Sequence, residues 1–209
     1  AAIATPQRQF AKFSNESEIV MNPNDEALKE TGVSSELIFD GKVVHLYLDN
    51  ILLPDGKPAT REYLRHVGAV AVLPLFADGT VACVRQYRYP HAEVLTEIPA
   101  GKLESKAEDH VQAALRELRE ETGCSCGRLT YLGRIYSSPA ILDEVIDLYL
   151  AEELQEGQAS PDEDEFIAPV RIPLARLVDM VLAGEIPDGK TQAAVLWGNE
   201  FLRRRGQKE

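Results

Sequence analysis

The sequence predicts an α+β fold in which a small antiparallel sheet precedes a larger domain of strands and helices. Within residues 34–66, short strand patterns alternate with turn signals, as they do in antiparallel hairpins. Residues 67–209 combine apolar strand runs with helical stripes, of which the most regular lies between Ser105 and Thr122. A chain of 209 residues is long enough for one or two domains with a sizeable core.

Composition and charge exclude several classes of protein. The chain is 44% apolar and 27% charged, which is ordinary for a globular protein. Its net charge of −12 argues against a nucleic-acid partner, because such proteins usually carry a basic patch. The sequence has neither an apolar run of the roughly 20 residues that span a membrane nor the apolar core of a signal peptide at its start. Three cysteines without a C-x-x-C do not indicate a disulfide framework. We therefore expect a cytoplasmic protein without membrane partners.

The N-terminal third predicts a hairpin after a polar lead-in. Residues 1–33 are polar and carry no recognisable chemistry. Asp40-Gly41 separates the strand patterns Glu36–Phe39 and Lys42–Asp49, and this dipeptide is a strong hairpin signal. We therefore expect residues 34–66 to form a sheet of their own.

The rest of the chain predicts alternating strands and helices. Five segments have strand patterns: Val67–Phe76, Thr80–Arg88, Gly127–Tyr136, Glu144–Glu152 and Phe166–Ile172. Two have helical patterns after the central helix: Pro173–Ala183 and Lys190–Arg205. Between the last two of these strands, Gln155–Asp164 is polar and acidic, a composition typical of a disordered linker.

The helix predicted over Ser105–Thr122 carries an unusual cluster of glutamates. Four apolar residues form its buried stripe: Val111, Ala114, Leu115 and Leu118. On a helical wheel Glu117 and Glu121 lie one turn apart with Glu120 close by, away from that stripe. Like charges repel at this spacing, and the helix dipole disfavours anions near a C-terminus. Such a cluster suits a hard divalent cation such as Mg²⁺ or Mn²⁺, although a solvated acidic face explains these residues alone equally well.

The residues around this cluster resemble the Nudix box, G-x5-E-x7-R-E-U-x-E-E-x-G-U with U apolar. This box is the signature of hydrolases that act on a nucleoside diphosphate linked to another moiety. Every defined position from Glu108 to Cys124 matches, but six residues instead of five separate Gly101 from Glu108. Glu108 therefore either holds the first-glutamate role or forms a capping box with Ser105. The resemblance implies an α/β/α sandwich with a mixed sheet.

Three further segments are similar to the ADP-ribose pyrophosphatase subfamily: FDGKVVHLYLDNILLPDGKPATRE, RQYRYP and EIPAGKLE. Pro139, sixteen residues after the box glycine, matches a marker of ADP-ribose specificity. In that subfamily the N-terminal sheet is exchanged or packed across a homodimer. The resemblance thus implies a lead-in (1–33), a dimerisation sheet (34–66) and a Nudix hydrolase domain (67–209).

The resemblance also implies site residues and a reaction. The Mg²⁺ (or Mn²⁺) ligands would be the Ala100 carbonyl, Glu117, Glu120 and Glu121, and Glu120 also counts among the catalytic residues. The base that takes a proton from water would be Glu163 or Glu165; Glu165 is favoured because it directly precedes a strand. The substrate-binding residues would be Arg61, Arg88, Glu97, Gly101 and Glu144. The reaction would be the hydrolysis of ADP-ribose to AMP and ribose 5-phosphate.

Two alternatives remain open at this point. One keeps the chemistry but changes the substrate to another nucleoside diphosphate sugar, such as GDP-mannose. The other is a sensor that binds ADP-ribose without cleaving it. A sensor would be expected to lose box glutamates or to add a DNA-binding segment, and the sequence does neither.

Overall fold

The structure is a computed structural model that describes residues 7–10, 25–160 and 165–207, with the backbone alone for residues 7–10. The chain divides into two compact units. Of the described residues, the large unit contains 7–10, 68–135, 145–160 and 165–207, and the small unit contains 25–67 and 136–144.

The elements follow one another in a strand-rich order. The strands are β1 (Gln7–Phe10), β2 (Thr31–Asp40), β3 (His45–Leu52), β4 (Pro58–Leu64), β5 (Ala69–Pro74), β6 (Thr80–Arg88), β7 (Glu93–Glu97), β8 (Ala100–Lys102), β9 (Ser125–Tyr136), β10 (Val145–Gln155) and β11 (Ile167–Pro173). The helices are α1 (His110–Thr122), α2 (Leu174–Leu182) and α3 (Gly189–Gly206), with a short 3₁₀ helix at Asp25–Leu28.

The small unit contains an antiparallel sheet in the order β2-β3-β4. The hairpin predicted at Asp40-Gly41 is present, and Asp40 pairs with His45 across a loop of four residues. Tyr47 and Tyr63 lie opposite each other on β3 and β4, with ring centroids 6.0 Å apart. The guanidinium of Arg65 lies 3.8 Å from the Tyr47 centroid, so cross-strand aromatic and cation–π contacts support this register.

The large unit contains a mixed five-stranded sheet in the order β1-β9-β10-β5-β8. β10 pairs parallel with β5, whereas β8 pairs antiparallel with β5. β11, β6 and β7 form a second, antiparallel sheet. The predicted α+β class with a mixed sheet and a preceding antiparallel sheet is confirmed. Residues 7–10, which sequence reasoning left in the lead-in, form the edge strand β1 beside β9.

The core of the large unit is built around β5, as the apolar run at 67–76 predicts. Val70, Val72 and Leu73 are fully buried, because strands on both sides and helices α1 and α3 cover the strand. Gly198 of α3 lets this helix approach closely, since a Cβ there would lie 2.5 Å from Cδ2 of Leu73. In the described part of the chain, no helix has the length and apolar character that crossing a membrane requires.

Helix α1 begins later than the sequence predicts. Asp109 is its N-cap, and Oδ1 accepts hydrogen bonds from the backbone N–H groups of Val111 (2.9 Å) and Gln112 (3.2 Å). The start predicted at Ser105 is wrong, since the Ser105 hydroxyl instead accepts from the Ala107 N–H within a turn. The capping-box alternative for Ser105 and Glu108 is therefore wrong, because an aspartate closer to the apolar stripe already supplies the cap.

Candidate active site

The site is built where strand β8 crosses helix α1. Gly101 lies directly over the carboxylate of Glu117, and a Cβ at this position would come within 2.1 Å of Oε1. Only glycine allows the backbone this close without displacing the carboxylate. One residue earlier, the Ala100 N–H donates to Oε1 of Glu121 at 3.4 Å. Strand β8 thus positions two of the predicted site residues, Ala100 and Gly101, beside two of the glutamates.

Glu117 and Glu121 are buried, with 8% and 6% of their surface exposed. The alternative of a solvated acidic face is therefore wrong for these two residues, because β8 covers the flank of α1 that carries them. Burial raises the pKa of both carboxyl groups. For Glu121 the pKa rises to about 8, through burial first and then through the nearby charges of Glu117 and Glu165. Oε2 of Glu121 is buried and has no hydrogen-bond partner among the described residues.

Arg116 contacts three glutamates and offsets part of the negative charge of the cluster. Its Nη1 donates to Glu117 Oε1 (2.6 Å) and to Glu120 Oε2 (3.1 Å). Its Nη2 points at Glu108 Oε1 (3.5 Å), while Oε2 of Glu108 accepts from the Glu104 N–H at 2.6 Å. Glu108 therefore fastens the loop before α1 to the same arginine that holds Glu117 and Glu120.

These donors fit a divalent cation. Among the described residues no three acidic, histidine or cysteine side chains already converge in a metal-binding arrangement. Instead, Arg116 bonds Glu117 and Glu120 and offsets only part of their charge, and Glu121 keeps one buried oxygen without a partner among those residues. All the available donors are oxygen atoms, which hard cations such as Mg²⁺ prefer. A buried carboxylate with an unpartnered oxygen is costly unless a cation compensates it.

A second charged cluster is centred on Glu97. Nε and Nη2 of Arg88 donate to its two carboxylate oxygens at 2.7 and 2.8 Å. Nζ of Lys190 also donates to Oε2 of Glu97. Glu97 is only 2% exposed. Burial by itself would raise its pKa, but the hydrogen bonds from Arg88 and the charge of Lys190 outweigh it and hold the pKa below its ordinary value.

Arg88 connects this cluster to the glutamates of α1. The hydrogen bonds to Glu97 raise the pKa of Arg88 first, and the charges of Asp188 and Glu121 add to the effect. The predicted residues Arg88, Glu97 and Glu121 therefore belong to one electrostatic environment. Sequence reasoning missed Lys190, although the charged Asp188-Gly189-Lys190 at the start of a predicted helix was an available signal.

The acidic loop before β11 is attached to the end of α1. The Ser160 N–H donates to the Glu120 carbonyl at 2.8 Å. Gly157 packs so closely against Gly123 that a Cβ on Gly123 would lie 2.5 Å from the Gly157 carbonyl oxygen. Glu165 is near enough for its charge to raise the pKa of Glu117 and Glu121. Glu163, the other predicted base, lies outside the described residues.

Two predicted substrate-binding residues belong to the small unit. Arg61 on β4 is paired with Glu30, with 3.0 Å between Nε and Oε2. Glu144 lies 3.4 Å from Nδ1 of His66. A role for Arg61 or Glu144 at the site stays a prediction.

We expect Gly123→Ala to destabilise the protein more than Gly184→Ala. Both glycines have positive φ, +73° and +75°, so each alanine costs about 1–2 kcal/mol in strain. At Gly184 nothing described lies within 4 Å of the new Cβ, whereas at Gly123 it meets backbone atoms of Gly157 and Ala159. That clash should add about 1–3 kcal/mol.

Thermal unfolding of the two variants measures this difference. For a chain of this size, each kcal/mol lost from the free energy of unfolding lowers Tm by roughly 2–4 °C. Equal losses at Gly123 and Gly184 would show that the acidic loop does not pack against the end of α1.

The mixed sheet, and the acidic helix α1 packed beneath strand β8 at Gly101, define the class of protein. The chain belongs to the Nudix family, since the model described as "NUDIX domain" matches residues 65–193.

Individual proteins similar to this chain have more specific names than the family. The chain is 42% identical over 171 residues to the ADP-ribose pyrophosphatase of Bacillus subtilis, which covers 81% of this chain and 92% of that protein. It is also 42% identical over 169 residues to the methanol dehydrogenase activator of Bacillus methanolicus, covering 80% of this chain and 91% of that protein. A crystal structure of an ADP compounds hydrolase superposes with a TM-score of 0.75. It covers 85% of this chain and 96% of its own, and at 22% identity it shows the fold.

Proposed function

We propose that this protein hydrolyses the diphosphate bond of ADP-ribose to AMP and ribose 5-phosphate with the help of Mg²⁺. One observation carries the proposal: Glu117 and Glu121 are buried side by side beneath β8, where one oxygen of Glu121 has no partner among the described residues. Arg88 is close enough for the charge of Glu121 to raise its pKa. The similarity to an ADP-ribose pyrophosphatase over 92% of that protein supports this choice of substrate.

Glu117, Glu121 and Glu120 on α1, with the Ala100 carbonyl, would hold the cation. Nudix hydrolases generally use divalent metal cations, and the oxygen donors favour Mg²⁺, with Mn²⁺ as a substitute. A cation bound here would neutralise charge that develops on the phosphate oxygens and would make water more acidic. The hydrogen bonds from Arg116 keep Glu117 and Glu120 in place.

Arg88 would bind the diphosphate. Two of its nitrogens are committed to Glu97, and Nη1 has no hydrogen-bond partner among the described residues. A guanidinium fixed in this way presents its remaining donors to phosphate oxygens in a defined direction. Glu97 would thus act on the substrate indirectly, by holding Arg88 in place. Gly101 has no side chain, so the backbone of β8 can lie next to the carboxylate of Glu117. Glu165 or Glu163 would take the proton from the attacking water.

We extend the proposal to a homodimer in which the small sheet (34–66) pairs protomers and brings Arg61 and Glu144 to a substrate. The support is strand β2, whose ten residues are all exposed. Val33, Ile38 and Phe39 are 63%, 50% and 56% exposed, and long apolar edge strands favour association with another chain. Light scattering should give a dimer mass for the wild type and a monomer for Ile38→Lys. A monomeric wild type would contradict the homodimer.

The function is tested with a panel of nucleoside diphosphate sugars. ADP-ribose and GDP-mannose are incubated with the protein and Mg²⁺, and the released nucleoside monophosphate is quantified by chromatography. We expect ADP-ribose to give the highest kcat/KM and EDTA to abolish the reaction. Faster hydrolysis of GDP-mannose would change the substrate, and tight binding without product would indicate a sensor.

A further inference from the structure

Lys190 reaches the carboxylate that holds Arg88. Its Nζ donates to Glu97 and, at 2.9 Å, to Oδ1 of Asp188. The Lys190 side chain is 13% exposed and the Glu97 side chain 2%. A lysine seldom loses this much water unless its partners compensate the charge. The contact between Lys190 and Glu97 is therefore a fixed part of the structure.

The first turn of α3 is fastened to the chain next to Glu97. Asp188 is the N-cap of α3, and its Oδ2 accepts from the Thr191 N–H at 3.0 Å. Thr191 is fully buried, and its hydroxyl accepts from the Ile98 N–H at 3.0 Å. Because Ile98 follows Glu97 directly, the helix start that carries Lys190 is held in register with the carboxylate.

We propose that Lys190 is a positioning residue that keeps the guanidinium of Arg88 oriented toward an anionic substrate and offsets the negative charge of Glu97. An Arg88–Glu97 pair alone is neutral, so its attraction for a diphosphate would be largely cancelled. Lys190 shares the same carboxylate and restores a net positive charge to the three groups. Asp188 also accepts a hydrogen bond from Lys190, and it lies at the N-terminus of α3, where a carboxylate is favoured.

The geometry also explains how Lys190 fixes the direction in which the Arg88 guanidinium points. Both oxygens of Glu97 accept from Arg88, and Lys190 bonds one of them from the side of α3. The carboxylate plane is then set by two cations from different elements, and the Arg88 fork follows that plane. This inference rests on the proposed function, since it assumes that Arg88 binds the substrate's diphosphate.

The test compares Lys190→Met and Lys190→Arg with the wild type. We expect Lys190→Met to raise KM for ADP-ribose by about tenfold or more, since misplacing a positioning group can cost up to ~100-fold. kcat should stay within about threefold, the pattern for an interaction made in both ground and transition states. Lys190→Arg keeps the charge and should recover most of the affinity.

A matched control is Lys57→Met. Lys57 contacts Asp55 at 2.6 Å with the same aspartate-x-lysine spacing, but it is exposed and lies in the small unit. Its kinetics should match the wild type. If the KM of Lys190→Met equals that of Lys57→Met, or if Lys190→Met lowers kcat at unchanged KM, the positioning role is refuted. A lower Tm without a change in KM also refutes it.

A readout independent of turnover is the Nε–H resonance of Arg88 in the ¹H–¹⁵N spectrum. We expect it to be sharp and protected in the wild type, to broaden or shift in Lys190→Met and to return in Lys190→Arg. Should the wild type not hydrolyse ADP-ribose, the proposed function fails, and this resonance alone decides on Lys190. An Arg88 signal that is unchanged in Lys190→Met overturns the inference.

Discussion

Glu121→Gln should lower the turnover of ADP-ribose by roughly 10²–10³-fold at saturating Mg²⁺, the loss that follows removal of one preorganised charge-stabilising group. The amide keeps the size of the side chain but cannot bring a negative charge to a cation. Because Glu121 is buried beside Glu117, no exposed carboxylate can easily replace it. Steady-state kinetics over a range of Mg²⁺ concentrations measures the effect.

The fold should survive this change. Burial raises the pKa of Glu121 to about 8, so the folded chain favours the neutral form that glutamine imitates. In the unfolded chain the carboxyl has its ordinary pKa of 4.5, and in the folded chain it keeps its proton to higher pH. In EDTA the wild type should therefore lose stability as the pH rises between these values, and Glu121→Gln should lose less.

Glu185→Gln removes an exposed carboxylate that pairs with Arg176 at 3.2 Å, and its turnover should be unchanged. Wild-type turnover in Glu121→Gln at saturating Mg²⁺ would remove Glu121 from the metal site.

Replacing both Glu163 and Glu165 by glutamine should reduce kcat by roughly 10²–10⁴-fold, the range for loss of a general base. Mg²⁺ binding should be largely retained, because the carboxylates of α1 remain. Calorimetric titration of Mg²⁺ and single-turnover kinetics would separate the two effects.

The single variants then identify the base. Glu165→Gln alone should reproduce most of the loss if Glu165 takes the proton, since its charge already acts on Glu117 and Glu121. If Glu163→Gln reproduces it instead, Glu163 holds that role. Normal turnover in the double variant would place the base elsewhere in the chain.

Several features of the fold could be predicted because they depend on local chemistry. Asp40-Gly41 specifies a reversal of the chain wherever strand patterns flank it, and β2 and β3 form around it. The apolar run at 67–76 predicts a strand buried on both faces, and β5 is that strand. The spacing of Arg116, Glu117, Glu120 and Glu121 places them on one helix whatever surrounds it.

Other features could not be predicted, because they depend on what packs against an element. A helical wheel shows which residues of α1 share a face, but it cannot show that β8 covers Glu117 and Glu121. Ser105 and Asp109 both suit an N-cap, and only the path of the preceding loop selects Asp109. The contact between Lys190 and Glu97 joins residues 93 positions apart, and no local pattern encodes such a distance.

The amino-acid sequence by itself determined the family pattern, the acidic helix and most of the strand segments, because spacing, turn chemistry and apolar periodicity act over a few residues. Only the tertiary structure decided the environment of each charge: which carboxylates lose water, which arginine neutralises them and which lysine shares Glu97. The cost of burying a charge depends on every neighbour in space, so it is fixed only when distant segments meet.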